Sequence, residues 1–340
     1  MTADLAYYSL VAVYSAMAIY TISFVTFALD LAKRSGDAQL AASESERAPA
    51  PSASVSATGD GGSRTILLDR PATGAPGGGS SAGSATDGGA RRPSTFERVA
   101  TAMMVLGLAV HVASVVMRGV AAERVPWANM FEFSLTGTAI IVGVYLVVKL
   151  FVDVSFLGAY VMGLNLILLA IGTVNYYVAV VPLQPALQSA WLVIHVLVAI
   201  IGTGFFAIAA GLSIVQLIQA RREQAKLAGL SFMQTLPGSA RLEDLAYRVA
   251  LVGFVLWTFT LIAGAVWAER AWGRYWGWDT KEVWTFIIWV LYAGYIHARA
   301  TRGWRGSRSS WLSIIGFAAV MFNFSVVNVF FKGLHAYSGL

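Results

Sequence analysis

From Leu5 to Leu29 the chain carries no charged residue. A helix over that stretch, at about 1.5 Å per residue, is long enough to cross a hydrocarbon layer of about 30 Å. Further apolar runs follow at about 97–117, 131–150, 154–181, 187–218, 247–268, 283–298 and 311–331. None alternates with the period of a strand, and their lengths suit bilayer-crossing helices. The pattern predicts an all-α, polytopic integral membrane bundle of about eight transmembrane spans. Asp4 precedes the first run with no lysine or arginine, so this run reads as a retained span and not a cleaved signal.

Between Lys33 and Pro93 the composition turns abruptly to Gly, Ser, Ala, Pro and Thr, as in Gly-Ala-Pro-Gly-Gly-Gly-Ser-Ser around residue 78. Such a stretch has too little apolar surface to offset the entropy lost on ordering, which predicts a flexible linker. Three regions result: a first span over 1–32, a linker over 33–95 on the cytoplasmic side, and a membrane domain over 96–340.

Composition agrees with the pattern. Hydrophobic residues are 57% of the 340 and charged ones 12%, with a mean hydropathy of +0.66; these values exclude an ordinary soluble domain. The chain has no cysteine, which excludes disulfides, thiolate metal sites and a redox thiol of its own. A net charge of +6 would suit nucleic acid, yet the basic residues are distributed by side of the membrane. Of the 24 lysines and arginines, only Arg118, Arg124, Arg270, Arg274, Lys281 and Lys332 fall on one set of loops. By the positive-inside rule that set is outside, as are both termini, with no nucleic acid partner required.

One outer loop, about 269–284, departs from any core pattern. Residues 272–284 read Trp-Gly-Arg-Tyr-Trp-Gly-Trp-Asp-Thr-Lys-Glu-Val-Trp and hold four of the eleven tryptophans. Indoles beside glycines offer a broad stacking surface to a large planar ligand such as a porphyrin. An interfacial tryptophan belt is the competing reading, but a belt needs no fixed W-x3-W-x-W-D-x-K-E spacing. Within the segment, Asp279 and Glu282 have the spacing of a capping box at a helix start.

The chain has four histidines. Imidazole within a span is costly enough to suggest function. His195, early in the fifth span, and His335, after the eighth, fall on the same outer side as the tryptophan segment. Two neutral imidazoles on opposite faces of a haem would be axial ligands to iron; a structural histidine bonded to a carbonyl would give the same spacing. His297 stands near the cytoplasmic end of the seventh span. His111, inside the second, reads either as the hydrogen-bond partner of a neighbouring helix or as part of an inner haem site with His297.

The tryptophan segment resembles the "WWD" signature of haem-handling membrane proteins and is most similar to that of the CcsA/ResC type of cytochrome c biogenesis protein, labelled CcsB in some lineages. The resemblance covers about 97–340. Gly333-Leu334-His335-Ala336-Tyr337 is similar to the family's G-L-H-S-Y sequence, and Pro126-Trp127-Ala128-Asn129-Met130-Phe131-Glu132 to a P-x-x-N-x-Y-E element, with Phe131 in place of the tyrosine. It implies that His195 and His335 ligate haem iron outside and that His297 holds haem on its way out. It further implies that haem b rests on Trp272, Trp276, Trp278 and Trp284, with Asp279 in the same motif. Separately, Arg274, one of the few basic residues on the outer side, offers a bidentate partner to a haem propionate, with lipid phosphate as the competing partner. By the same resemblance the chain is the membrane subunit of a System II cytochrome c synthase, a haem lyase of the bacterial cytoplasmic membrane. Its partners would be a ResB-type subunit, apocytochrome c and proteins that keep the apocytochrome thiols reduced. Haem transport or delivery without ligation is the alternative, and an electron-transfer cytochrome b fits less well because each histidine lies on a different element.

Overall fold

The computed structural model describes residues 2–47, 93–181, 187–225, 231–301, 304–331 and 333–335. Among them there is no strand, and the chain forms α1 (Thr2–Arg47), α2 (Thr95–Ala122), α3 (Met130–Phe151), α4 (Gly158–Asn175), α5 (Ala190–Ala225), α6 (Ser239–Trp272), α7 (Thr280–Ala300), α8 (Ser307–Phe322) and a short α9 (Asn328–Phe330). The predicted helical membrane bundle is what the chain builds.

Among the described residues, seven helices are long and apolar enough to cross a membrane. The predicted seventh span, 283–298, falls on α7, which is 21 residues long but is not among the seven. Its indole, phenol and imidazole side chains dilute its aliphatic content. The predicted linker also begins later than its composition suggests, because α1 runs unbroken to Arg47. Arg34 bridges Asp30, four residues back on the same helix, and Glu97 of α2 at 3.1 Å. Residues 48–92 lie outside the described residues. At the far end of the predicted fourth run, α4 stops at Asn175. The extended residues after it give carbonyls to two arginines, Val178 to Arg118 at 2.7 Å and Val181 to Arg124 at 3.4 Å, so these two carbonyls are satisfied without helix.

Helices consecutive in the chain run antiparallel, held by polar contacts between small side chains and backbone, as in bundles within an apolar medium. In α1 and α2, Ser9 Oγ donates to the Ser114 carbonyl at 2.9 Å and Ser114 Oγ to the Ser9 carbonyl at 2.7 Å, while Ser23 Oγ donates to the Ala100 carbonyl at 2.8 Å. His111 is buried between them, its Nδ1 3.3 Å from the Tyr20 hydroxyl. It is therefore a helix-to-helix contact. The α7 helix is fixed to α6 by Trp257 Nε1 donating to the Thr285 carbonyl at 3.1 Å, and to α5 by the Phe206 and Tyr292 rings stacked 3.6 Å apart.

Ion pairs close both ends of the bundle. At one end Arg299 of α7 holds Glu243 of α6 at 3.0 Å, and Glu243 also accepts from Ser309 of α8 at 2.9 Å. At the other, Arg118 closing α2 is buried against Glu132 of α3 at 3.0 Å, and Arg124 reaches the same carboxylate at 2.6 Å. This second end carries the candidate site: α3, α5 and α7 start there, and α2, α4, α6 and α8 end there.

Candidate functional site

A cleft opens at that end, enclosing about 1550 Å³ of empty space, part of it open to the exterior. Its walls come from the first halves of α3 and α5, the last half of α6, the start of α7 and the end of α8. His195 and His335, 140 residues apart in the chain, both line it. So do Trp276 of the tryptophan segment and Trp127 of the loop before α3.

His195 sits in the second turn of α5, facing α6. Its Nδ1–H donates to the Thr260 carbonyl at 2.9 Å; a carbonyl only accepts, so the proton is on Nδ1 and Nε2 keeps its lone pair. One turn further along α6 the ring rests on Gly264, where a Cβ would come within 2.7 Å of Cε1. Glycine is required there because any side chain would displace the imidazole.

His335 is set by the tryptophan segment. Its Nδ1 lies 3.1 Å from Asp279 Oδ1, and the neighbouring Leu334 N–H donates to Asp279 Oδ2 at 2.8 Å. A Cβ on Gly333 would collide with that same oxygen, which is why the chain can pass so close. Asp279 is also the N-cap of α7, in a complete capping box with Glu282. The Glu282 carboxylate accepts from the N–H groups of Gly277 at 2.8 Å and Asp279 at 3.1 Å. The His335 imidazole, then the backbone N–H groups of Lys281 and Leu334, hold the Asp279 carboxyl down at about 2, against the upward push of burial.

Trp267, near the end of α6, joins the two histidines. Its ring lies 13° from parallel to His195 with centroids 6.0 Å apart, and edge-on to His335 at 5.4 Å. Trp272 completes the cluster, 4.7 Å from Trp267 and 4.8 Å from His335. Both imidazoles thus commit Nδ1 to a fixed acceptor, and Nε2 of neither takes part in a hydrogen bond among the described residues. That donor set, in a large cleft walled by aromatic and aliphatic groups, fits a flat apolar ligand bearing a metal at its centre.

The other expected residues divide into two groups. Trp276 lines the cleft and Trp278 meets it edge-on at 5.9 Å. Trp278 is exposed and has a φ of 59°, a left-handed backbone that costs an indole-bearing residue about 1–3 kcal/mol and that clusters at functional sites. Arg274, by contrast, lies 3.6 Å from Glu282, and Trp284 packs on Phe322 at 4.3 Å; neither lines the cleft. His297 is exposed at the opposite end of α7 and does not meet His111.

Sequence reasoning does not reach Trp267, Thr260, Gly264 or Met130. In sequence Trp267 merges with the apolar run that carries it, and an indole so near the end of that run is the available signal. A π turn over Asn323–Val327 between α8 and α9 has no such signal. It brings Asn323 and Asn328 to the cleft, where Asn328 takes the Lys281 Nζ on its Oδ1 and points its amide at the Met130 sulfur, 3.2 Å away.

A family model described as "Cytochrome C assembly protein" matches residues 99–335. A cytochrome c biogenesis protein CcsA of Guillardia theta is 36% identical over 236 residues, covering 63% of this chain and 77% of the relative. Proteins of the same description from Synechococcus sp. (strain CC9902) and Prochlorococcus marinus (strain MIT 9215) are 38% and 39% identical, over 46% of this chain in each case. The chain spans 58% and 56% of those two relatives. Among solved structures, Cytochrome c Heme Lyase CcmF is similar in fold, with a TM-score of 0.58 at 14% identity, covering 94% of this chain and 46% of that one.

Proposed function

Since the chain belongs to the cytochrome c assembly protein family and is of the CcsA type, we propose that its cleft holds haem b with His195 and His335 as ligands to iron and presents it to apocytochrome c. The observation that carries this reading is the convergence of those two imidazoles, 140 residues apart in sequence, on one cleft. Trp272, Trp276 and Trp278 form the aromatic flank of the site, and Asp279 sets His335. Arg274 and Trp284 support it from outside the cleft, through Glu282 and Phe322.

The chemistry asked of this chain is positioning. Each thiol of a Cys-x-x-Cys-His segment adds across a vinyl C=C, sulfur to one carbon and hydrogen to the other, with no net oxidation. Holding the porphyrin still with its vinyl edge accessible makes such an addition effectively unimolecular, an advantage of about 7–11 kcal/mol at its upper range. The thiols belong to the substrate, since this chain has none. A ResB-type subunit is the expected partner, with separate proteins keeping those thiols reduced.

The crowding of basic residues at the end of the bundle opposite the cleft supports an outer-face cleft, with the bacterial cytoplasmic membrane as the expected setting. His297 would then lie at the cytoplasmic end, exposed and free to share haem with a ligand from the partner. The test is the visible spectrum of the detergent-solubilised protein, alone and with the partner. His195→Ala and His335→Ala should each alter it and reduce covalent haem on a reporter cytochrome, and an unchanged spectrum in both would refute the assignment. A haem-loaded protein that never supports thioether formation, even with the partner, would favour delivery alone.

A further inference from the structure

The two imidazoles are held by chemically different acceptors. His195 gives its Nδ1–H to a neutral peptide carbonyl at 2.9 Å, whereas His335 meets the Asp279 carboxylate at 3.1 Å. The carboxylate is itself held on both oxygens, by the Lys281 N–H on Oδ1 at 3.0 Å and the Leu334 N–H on Oδ2 at 2.8 Å. Its side chain is buried, at 7% exposure. A fixed anion behind an imidazole does two things at once: it fixes the tautomer and ring orientation, and it shifts electron density towards the far nitrogen.

From this pairing, and resting on the haem reading above, we propose that Asp279 is a positioning residue that acts through His335, making it the electron-richer of the two ligands and biasing bound iron towards the ferric state. The aspartate of the tryptophan segment thus has a second task beyond starting α7. Trp272, 4.8 Å from His335 on another side, restricts the ring's rotation further. On the His195 side the acceptor is backbone and carries no net charge, so the asymmetry is built into the two halves of the site.

The cap and the imidazole contact are separable by substitution. Asp279→Ser keeps a good N-cap but is too short to reach His335. Asp279→Asn keeps the cap and an acceptor oxygen for Nδ1 while removing the charge and the Leu334 bond. The measurements are the haem dissociation constant and the iron reduction potential of the purified full-length chain. Asp279→Ser is expected to weaken haem binding by about 10-fold to 100-fold, with added imidazole restoring part of the loss. Asp279→Asn is expected to retain haem but raise the potential, a tenfold change in ferric over ferrous preference being about 59 mV. In a His335→Ala background supplied with N-methylimidazole, whose alkylated nitrogen cannot donate to residue 279, the Asn substitution should then leave the potential unmoved, because its route to the iron is gone.

Wild-type affinity and potential in both Asp279 variants, with His335→Ala still altering the spectrum, would overturn the proposal and leave the haem site standing. A potential shift that persists without His335 would also overturn it, by showing a general field effect. An unaltered spectrum in His335→Ala would remove the haem site and this inference together.

Discussion

Trp267 and His195 lie nearly parallel, 13° apart with centroids 6.0 Å from one another, on adjacent antiparallel helices. Trp267 is buried and touches His335 as well, so one indole sets the relative placement of both imidazoles. Trp267→Ala should lower thermal stability by about 3 kcal/mol through the cavity it leaves, and should cost haem retention beyond that. Trp267→Phe should keep most of both. Thermal melts alongside haem-to-protein ratios separate the two effects, and equal haem ratios in all three proteins would deny the indole any role in the site.

Gly264 offers a way to move the proposed ligand His195 without replacing it. A Cβ there would come within 2.7 Å of the His195 ring, so Gly264→Ala should push the imidazole off its Thr260 acceptor. The spectrum should change towards that of His195→Ala although every histidine remains. A wild-type spectrum would mean the ring has room that the packing does not show.

The capping box gives a graded series. Glu282→Gln keeps an oxygen for the Gly277 and Asp279 N–H groups, whereas Glu282→Ala leaves both without an acceptor and strands Arg274. A lost cap costs about 1 kcal/mol. The order of haem affinity should be wild type, Gln, Ala; Ala binding as tightly as wild type would show that the tryptophan segment keeps its shape without the box.

A contrasting variant is Arg118→Leu. Arg118 is buried with Glu132 but does not line the cleft. Losing one partner of a buried pair costs about 3–5 kcal/mol, eased here because Arg124 also reaches the carboxylate. Expression and Tm should fall while the spectrum of the protein that does fold stays as in wild type. A spectral change at full stability would place Arg118 in the site.

At the other end of α7, His297→Ala should leave the spectrum of haem at the proposed His195 and His335 site unchanged, since the side chain is exposed and at the opposite end of α7 from the cleft. Only haem held before transfer should be lost, visible as a smaller second component in the partner complex. Loss of the outer signal itself would join the two sites into one.

Hydropathy alone locates α1 to α6 and α8, because twenty or so apolar residues are a strong signal, whereas α7 falls short of it. Their ends are less legible where the stop is tertiary: α4 ends at Asn175 because Arg118 and Arg124 supply donors to the extended residues beyond it, and neither arginine is near in sequence. The capping box at Asp279 and Glu282 is readable, being local. Its contact with His335 is not, since 56 residues separate the partners. Trp267 escapes because an indole at the end of an apolar run looks like any other core residue until the facing helix is known.

In the π turn at Asn323–Val327 the hydrogen-bonded ring takes in one residue more than in ordinary helix. The extra residue is absorbed within that one turn, so Asn328 meets Lys281 and the segment that carries His335 leaves in phase with α7. Beyond the turn each added or lost residue of ordinary helix would rotate that segment by about 100°, so natural variants of this chain should tolerate insertions and deletions between helices yet keep a constant residue count from Asn328 to His335.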